Sequence, residues 1–469
     1  MFLAGRPETT DRWLEVRRKY PDGPLAEVAL AAEAHVLEAG RAAERALPAL
    51  RRLSSGDRRE RLWLTVRGLE QRAEAFAATL VAEVGKTVRE ARAEVARAVE
   101  TFRLAAEETV RFAGEEIVLD GIPRGRGYRG WTRRVPLGPA AFVTPFNFPL
   151  NLVAHKVAPA LAVGVPFVLK PASRTPLVAL MLGELLAEAD WPEGTFSILP
   201  MDRRTGDVLV SDPRYRIFSF TGSDAVGWPL MAAAGKKRVL MELGGNAACY
   251  VDASADVEDA LPRIISGAYG QAGQSCISVQ RVYAHQAVYD QVRDGLVART
   301  RSLVTGDPAD EKTDVGPLIA EDEAKRLERW IAEATAGGAK LLCGGERRGA
   351  FLTPAIVENP PTTAKLVREE AFGPVLTLAA VPSAEAAFAA INDSRYGLQA
   401  GVFTDRLSVA EAAWRSLDVG GVVVNDVPTW RSDAMPYGGV KDSGLGREGV
   451  RAAMEEMTEL RSCVLREKT

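Results

Sequence analysis

From residue 139 to about residue 424, short β-rich apolar runs alternate with amphipathic stretches, and this alternation constrains the fold more than any other feature of the chain. The runs 140–144, 165–169, 195–199 and 217–220 read as strands, and 152–161, 176–189 and 206–210 between them as helices. Strand and helix in regular turn mean a parallel sheet covered on both faces, and so an α/β architecture. A second alternating series runs from Ala247 to about Val424 and carries Cys276 near its start.

Ahead of these series, the stretch from Pro24 to about Ala113 is rich in Ala, Glu, Arg and Leu with apolar residues at helical spacing, and is expected to be helical throughout. Residues 114–138 change character: Ile117-Val118-Leu119, a Pro/Gly/Arg turn, then Trp131-Thr132-Arg133-Arg134-Val135 read as a projecting β-hairpin, an arm suited to subunit contact. With 59 basic and 62 acidic residues, the net charge of −3 offers no general attraction to nucleic acid or to an anionic membrane. The longest apolar run, 157–169, is broken by Pro159 and Pro166 and falls short of the roughly 18 residues of a membrane span. Four cysteines without paired spacing and three histidines argue against a disulfide framework and against a zinc site, so no metal is expected. The opening residues lack the apolar stretch of a secretion signal, and a reducing cytoplasm is the expected setting.

Three glycine segments compete as nucleotide sites. Gly125-Arg126-Gly127-Tyr128-Arg129-Gly130 matches the dinucleotide spelling but neither follows a buried strand nor opens a helix, so the context that gives the motif its mechanism is missing. Gly444-Leu445-Gly446-Arg447-Glu448-Gly449 precedes a helix but follows a polar turn, and is expected to shape a loop. The segment 221–227 has strand, turn and helix start in the right order; Ser223 or Asp224 can cap that helix, whose N–H groups face any anion in front of them. Lys170, at the end of an apolar strand, stands where a parallel sheet binds nucleotides.

The chemistry is expected at Cys276. Cys249, Cys343 and Cys463 sit in apolar or strand-like surroundings, the ordinary place for a structural thiol. Cys276 instead lies in Gly273-Gln274-Ser275-Cys276, among small and polar residues that suit a loop or helix entrance, where backbone N–H groups stabilise a thiolate. Glu242, in Met241-Glu242-Leu243-Gly244-Gly245, is a carboxylate in a second glycine turn, read as the base for that nucleophile.

Together these pieces resemble the NAD(P)-dependent aldehyde dehydrogenase superfamily. The likeness is carried in order by Thr144-Pro145-Phe146-Asn147-Phe148-Pro149, Lys170-Pro171, Phe220-Thr221-Gly222-Ser223, Glu242-Leu243-Gly244-Gly245, Gly273-Gln274-Ser275-Cys276 and Glu369-Glu370-Ala371-Phe372-Gly373-Pro374, over nearly the whole chain. It implies two doubly wound Rossmann-like parallel-sheet domains. The cofactor-binding domain would comprise residues 1–113 and 139–243 and the catalytic domain residues 244–435, with a β-hairpin oligomerisation arm from 114–138 and 455–469 that makes a dimer or tetramer. It further implies that Cys276 attacks the aldehyde carbon, that the Asn147 amide and the Cys276 backbone N–H hold the oxyanion, and that Glu242 activates the water that releases the acid. Cofactor contacts are implied for Thr144, Pro145, Phe146, Lys170, Ser173, Gly222, Ser223, Val226, Leu243, Glu370 and Phe372.

Relatives that pass the acyl group to coenzyme A typically lack the glutamate found here at Glu242, which favours hydrolysis to a free acid. Ser173 stands where enzymes strict for NAD often carry a glutamate. Its neutral hydroxyl, with Arg174 beside it, implies that NADP is accepted as well as NAD, or in preference to it. The chain is most similar to a subgroup acting on lactaldehyde, glyceraldehyde 3-phosphate without phosphorylation, and phosphonoacetaldehyde, and Arg103, His155, Ser275 and Arg431 are the implied substrate residues. Arg103 and Arg431 would clamp an anion. Ser275, where anion-specific relatives often have arginine, and Ala434, where many have histidine, keep a neutral or aromatic small aldehyde open. A coenzyme A-acylating dehydrogenase and a thiol esterase are the alternative classes.

Overall fold

A computed structural model describes residues 1–467; positions 468–469 of the expected arm lie outside the described residues. Strand β1 (Trp13–Lys19) pairs antiparallel with β2 (Asp22–Ala29), with Trp13 opposite Ala29. Residues 24–29, expected to open the helical region, are therefore strand. Their local composition reads as helix, but a partner strand close in sequence satisfies the backbone groups instead.

The helices begin at Glu33: α1 (Glu33–Arg52), α2 (Ser55–Gln71), α3 (Ala73–Val84) and α4 (Val88–Thr109). Helices α2 and α4 start on reciprocal caps, Ser54 with Asp57 and Thr87 with Glu90, which satisfy backbone donors that the first turn leaves open. The expected hairpin is present as β3 (Glu116–Ile117) and β4 (Tyr128–Pro136), with Glu116 opposite Trp131. The literal dinucleotide spelling at Gly125–Gly130 falls on this arm, away from any sheet crevice.

Strands β5 (Ala140–Val143), β6 (Phe167–Lys170), β7 (Phe196–Ile198), β8 (Ile217–Thr221) and β9 (Arg238–Glu242) run parallel in the order β7-β6-β5-β8-β9. The chain works outward from β5 to β7, then returns to β8 on the other side, so the order reverses between β5 and β8. Such a reversal opens a crevice at the carboxyl ends of the strands, where ligands of open α/β sheets bind. Helices α5 (Asn151–Val163), α6 (Leu177–Glu188), α7 (Arg203–Ser211) and α8 (Asp224–Ala234) make the connections. Almost every residue of α5 is buried, so its polar His155 and Lys156 must find partners inside the protein.

The segment expected to shape a loop at Gly444 instead joins this sheet. Gly444–Leu445 lies antiparallel to β9, with Gly444 opposite Glu242, and the Leu243 N–H donates to the Ser443 carbonyl at 2.9 Å. The polar turn hid a short edge strand because two residues carry no periodicity.

A second sheet follows: β10 (Ala248–Val251), β11 (Arg281–His285), β12 (Lys340–Cys343), β13 (Ala355–Glu358), β14 (Val375–Val381), β15 (Gln399–Phe403) and β16 (Gly421–Val424). Their order is β12-β13-β14-β11-β10-β15-β16, parallel except for the edge strand β12. Helix α9 (Val257–Tyr269) runs from β10 toward Cys276. The fold is thus α/β with two parallel-stranded sheets, as expected from the alternation. The final strand β17 (Thr458–Arg466) pairs antiparallel with β4 along its whole length, from Thr458 opposite Pro136 to Arg466 opposite Tyr128. Among the described residues no helix is long and apolar enough to cross a membrane.

Candidate active site

After α9 the backbone makes a short turn over Gly270–Gly273 in which Gln271 and Ala272 adopt left-handed angles, φ 56° and 52°. Gly273 is also left-handed at φ 68°, and a Cβ there would collide with the Gly373 carbonyl, so glycine is required twice over. The turn delivers Cys276 to a cavity of about 360 Å³ that Asn147, Ser275, Arg97, Arg431 and Tyr437 also line. The Cys276 Sγ lies 3.5 Å from the Tyr437 hydroxyl.

Burial pushes the Cys276 thiol up to about 12; the Tyr437 hydroxyl works against that rise, and the Glu370 and Glu242 carboxyl groups add to it. Of the loop or helix entrance expected for Cys276, the loop is found, and the raised pKa runs against the expected thiolate. Cys276 opens no helix, and dehydration with nearby carboxyl groups keeps the resting side chain a neutral thiol.

Asn147 follows β5, and its Nδ2 donates to the Gln274 carbonyl at 3.0 Å. The loop that bears it is fixed from below: the buried Lys86 donates to the Asn147 carbonyl at 3.1 Å and pairs with Glu94, whose carboxylate accepts the N–H groups of Leu150 at 3.0 Å and Asn151 at 3.1 Å. Glu94 thereby serves the open donors at the start of α5.

Glu242 ends β9, buried, with Oε2 unpartnered. Its surroundings are charged. Burial and the neighbouring Glu448 raise its carboxyl well above the ordinary value, while Arg431, Lys156 and Arg447 act in the opposite direction. Lys156 itself bridges Ser219 Oγ at 2.6 Å and Glu448 Oε1 at 3.0 Å. The glycines after Glu242 allow close approach, since a Cβ on Gly245 would collide with the Cys276 carbonyl. The Gly245 N–H donates to Glu370 Oε1 at 2.9 Å, and burial lifts that carboxyl to about 7.

Several of the implied cofactor residues meet at the crevice between β5 and β8. Thr144 and Thr221, at the ends of these adjacent strands, each bury a hydroxyl without a partner, so the crevice holds unsatisfied polar atoms. Lys170 ends β6, its ammonium pKa lowered by burial, and its stem lies against Gly206. Phe146 and Phe372 face one another edge to face, with ring centroids 5.9 Å apart. Ser223 is the N-cap residue of α8, but neither expected cap is made: the Ser223 side chain forms no capping bond, and Asp224 pairs with Arg395. The helix start is thus left open toward the crevice, with Gly222 and Val226 beside it. Ser173 and Arg174 border a separate hollow with Lys19. Unsatisfied hydroxyls, a dehydrated lysine and an uncapped helix start at a switch point fit a nicotinamide dinucleotide.

The substrate residues divide. Arg431 lines the cavity, only 5 % of its side chain is exposed, and its guanidinium stacks 3.8 Å above the Tyr437 ring. Ser275 lines the cavity beside Cys276. His155 does not reach it: the ring is fully buried behind Arg431, with Nδ1 3.2 Å from the Arg431 Nη2 and Nε2 3.2 Å from Asp433 Oδ1. Arg103 is corrected outright. It points to solvent and pairs with Glu100, while Arg97 on the same helix lines the cavity. The signal was present in the sequence, for Glu90, Ala93, Glu94 and Arg97 recur at helical spacing and all face the cavity.

Residues 6–463 match the aldehyde dehydrogenase family. The chain is 43% identical over 466 residues to a 3-sulfolactaldehyde dehydrogenase of Priestia aryabhattai, covering 99% of this chain and 97% of that protein. Aldehyde dehydrogenase 21 of Physcomitrella patens, solved with its reaction product succinate, superposes with a TM-score of 0.98 at 47% identity, covering 100% of this chain and 98% of that one. The glyceraldehyde-3-phosphate dehydrogenase GapN of Methanocaldococcus jannaschii, solved with NADP, gives a TM-score of 0.94 at 34% identity over 97% of this chain and 100% of that one. The chain belongs to the aldehyde dehydrogenase family. It is an NAD(P)-dependent oxidoreductase that converts an aldehyde to a carboxylic acid.

Proposed function

We propose that this enzyme oxidises a small aldehyde carrying an acid group at its far end, with Cys276 as nucleophile and release of the free acid. The carrying observation is the cavity that places the Cys276 thiol and two arginines, Arg97 and Arg431, on one set of walls. The Cys276 thiol proton passes to water, the thiolate sulfur bonds to the aldehyde carbon, and the carbonyl π pair moves to the oxygen as an oxyanion. Asn147 commits one amide hydrogen to Gln274 and has a second for that oxyanion. NAD(P), when bound, would supply a hydride acceptor, and loss of hydride turns the hemithioacetal carbon into a thioester. Glu242, once ionised, is a strong base because its surroundings favour the proton, and it draws one from the water that cleaves the thioester.

The cavity suits a chain of a few carbons, and two of the relatives, the 3-sulfolactaldehyde dehydrogenase and the enzyme solved with succinate, handle sulfonated and carboxylated compounds of that size. Arg97 and Arg431 supply planar donors for such an acid group. Thr144, Lys170, Ser223, Glu370 and Phe372 would hold the cofactor. The absence of a carboxylate at Ser173 supports use of NADP alongside NAD. We also read the sheet of β3, β4 and β17 as the contact between identical subunits, because it exposes Leu460 and Val464 on one face and Trp131 and Leu465 on the other. The test is initial reduction of NAD and NADP with succinic semialdehyde, lactaldehyde, glyceraldehyde 3-phosphate and benzaldehyde, without coenzyme A. Highest kcat/KM with an acid-bearing aldehyde supports the reading; highest with benzaldehyde, or a requirement for coenzyme A, contradicts it.

A further inference from the structure

One buried carboxylate lies behind both arginines of the cavity. Asp433 is 3% exposed in its side chain, and a single oxygen of it, Oδ1, is 3.0 Å from Arg97 Nη2, 3.9 Å from Arg431 Nε and 3.2 Å from His155 Nε2. Its other oxygen accepts from Thr101 Oγ1 at 2.7 Å. Burial would favour protonation of Asp433, but the contacts with His155, Arg97 and Thr101 override it and hold the carboxyl far below its usual range. His155 is uncharged near neutral pH, because burial first and Arg431 second lower its pKa. It therefore fixes geometry without adding charge.

The other acids around the cavity have their own partners. Glu94 pairs with Lys86, Glu448 with Lys156, and Glu90 accepts from Thr87 and from the Gln271 N–H. Within the Arg97–Arg431–Asp433 cluster two arginine charges therefore meet one aspartate charge, and Glu90, whose partners are neutral, keeps a further negative charge on the same cavity wall. Arg431 Nε is buried with no hydrogen-bond partner, and Arg97 stands at the outer wall with 40% of its side chain exposed. A second negative charge brought here has no counterion and meets Asp433 within the same shell, in a setting where unpaired charge is costly.

We propose that Asp433 sets the charge class of the substrate: by holding Arg97 and Arg431 around one carboxylate, it makes the cavity a receptor for a monoanionic carboxylate or sulfonate and a poor one for dianionic phosphate. The proposal rests on the anionic-aldehyde reading given above. Asp433 is a positioning residue, since it acts through the two arginines and does not line the cavity.

The experiment compares kcat/KM for succinic semialdehyde, glyceraldehyde 3-phosphate and butyraldehyde in the native enzyme and in Asp433→Asn. The amide keeps the size and one acceptor but removes the charge. The ratio of monoanion to dianion should fall roughly tenfold, chiefly through KM. An unchanged ratio in a folded variant overturns the proposal. A second measurement needs no variant: phosphate gains a proton near pH 6, so KM for glyceraldehyde 3-phosphate relative to succinic semialdehyde should fall severalfold as pH drops through that value. A ratio flat with pH overturns the proposal even if Asp433→Asn does not fold. Failure of the underlying reading looks different: butyraldehyde would then match succinic semialdehyde in the native enzyme, and no anion would be preferred.

Discussion

Arg97 and Arg103 lie on one helix, roughly 120° apart around its axis, and that rotation separates a cavity residue from a solvated one. Arg97→Gln and Arg431→Gln should each raise KM for an acid-bearing aldehyde by roughly 10- to 150-fold, the range of a hydrogen bond to a charged group at about 1.5–3 kcal/mol. Arg103→Gln should leave KM within about twofold, as surface substitutions usually do. Steady-state kinetics on the three variants decide the assignment. The titration behaviour of the site is equally specific. Cys276 and Glu242 both hold their protons more tightly than usual, and both act after losing them. The reactive fraction therefore grows as pH rises, and kcat should climb from pH 6 to 9 instead of levelling just above the ordinary carboxylate range near 4.5. A kcat flat across that interval would show that proton loss from these groups does not limit turnover.

At the scale of the element, the start of α6 carries a prediction of stability. Glu83, at the end of α3, is wholly buried and accepts the N–H groups of Leu177 at 2.9 Å and Val178 at 3.1 Å. Burial lifts its carboxyl to about 8. Between about pH 4.5 and 8 the unfolded chain has released this proton and the folded chain retains it, so the folded state binds more protons and stability falls as pH rises. Glu83→Gln keeps an acceptor for the helix start and removes the titration. The decline in melting temperature between pH 5 and pH 8 should shrink in the variant; an unchanged decline would assign the pH dependence elsewhere. Elements of this kind were legible in sequence only where periodicity or caps were present. The strands of the first sheet and helices α2 and α4 announce themselves in this way. The β2 strand did not, since its Ala and Glu content is helical in isolation and only pairing with β1 decides it. The Gly444–Leu445 strand is too short to have a period at all.

For the whole molecule, the two sheets and the arm followed from the alternation and the break at residue 114, while the electrostatics of the site did not. Cys276, Glu242 and Asn147 stand out by their neighbours in the chain. Lys156, Asp433 and Glu448 do not, because their importance comes from charges that the fold brings together from three distant segments. Assembly belongs to this scale too. Removing residues 460–469 strips most of β17 from β4 and exposes the arm, so the truncated protein should show a lower mass by light scattering and a lower melting temperature. Unchanged mass and melting temperature would place the subunit contact elsewhere.

The most direct measurement is a rapid-mixing experiment on Glu242→Gln with succinic semialdehyde and NADP, followed by intact-protein mass. The account predicts a single burst of reduced cofactor, close to one per site, and an acyl group retained on Cys276. Sustained turnover at the native rate in this variant, or in Cys276→Ala, would contradict it.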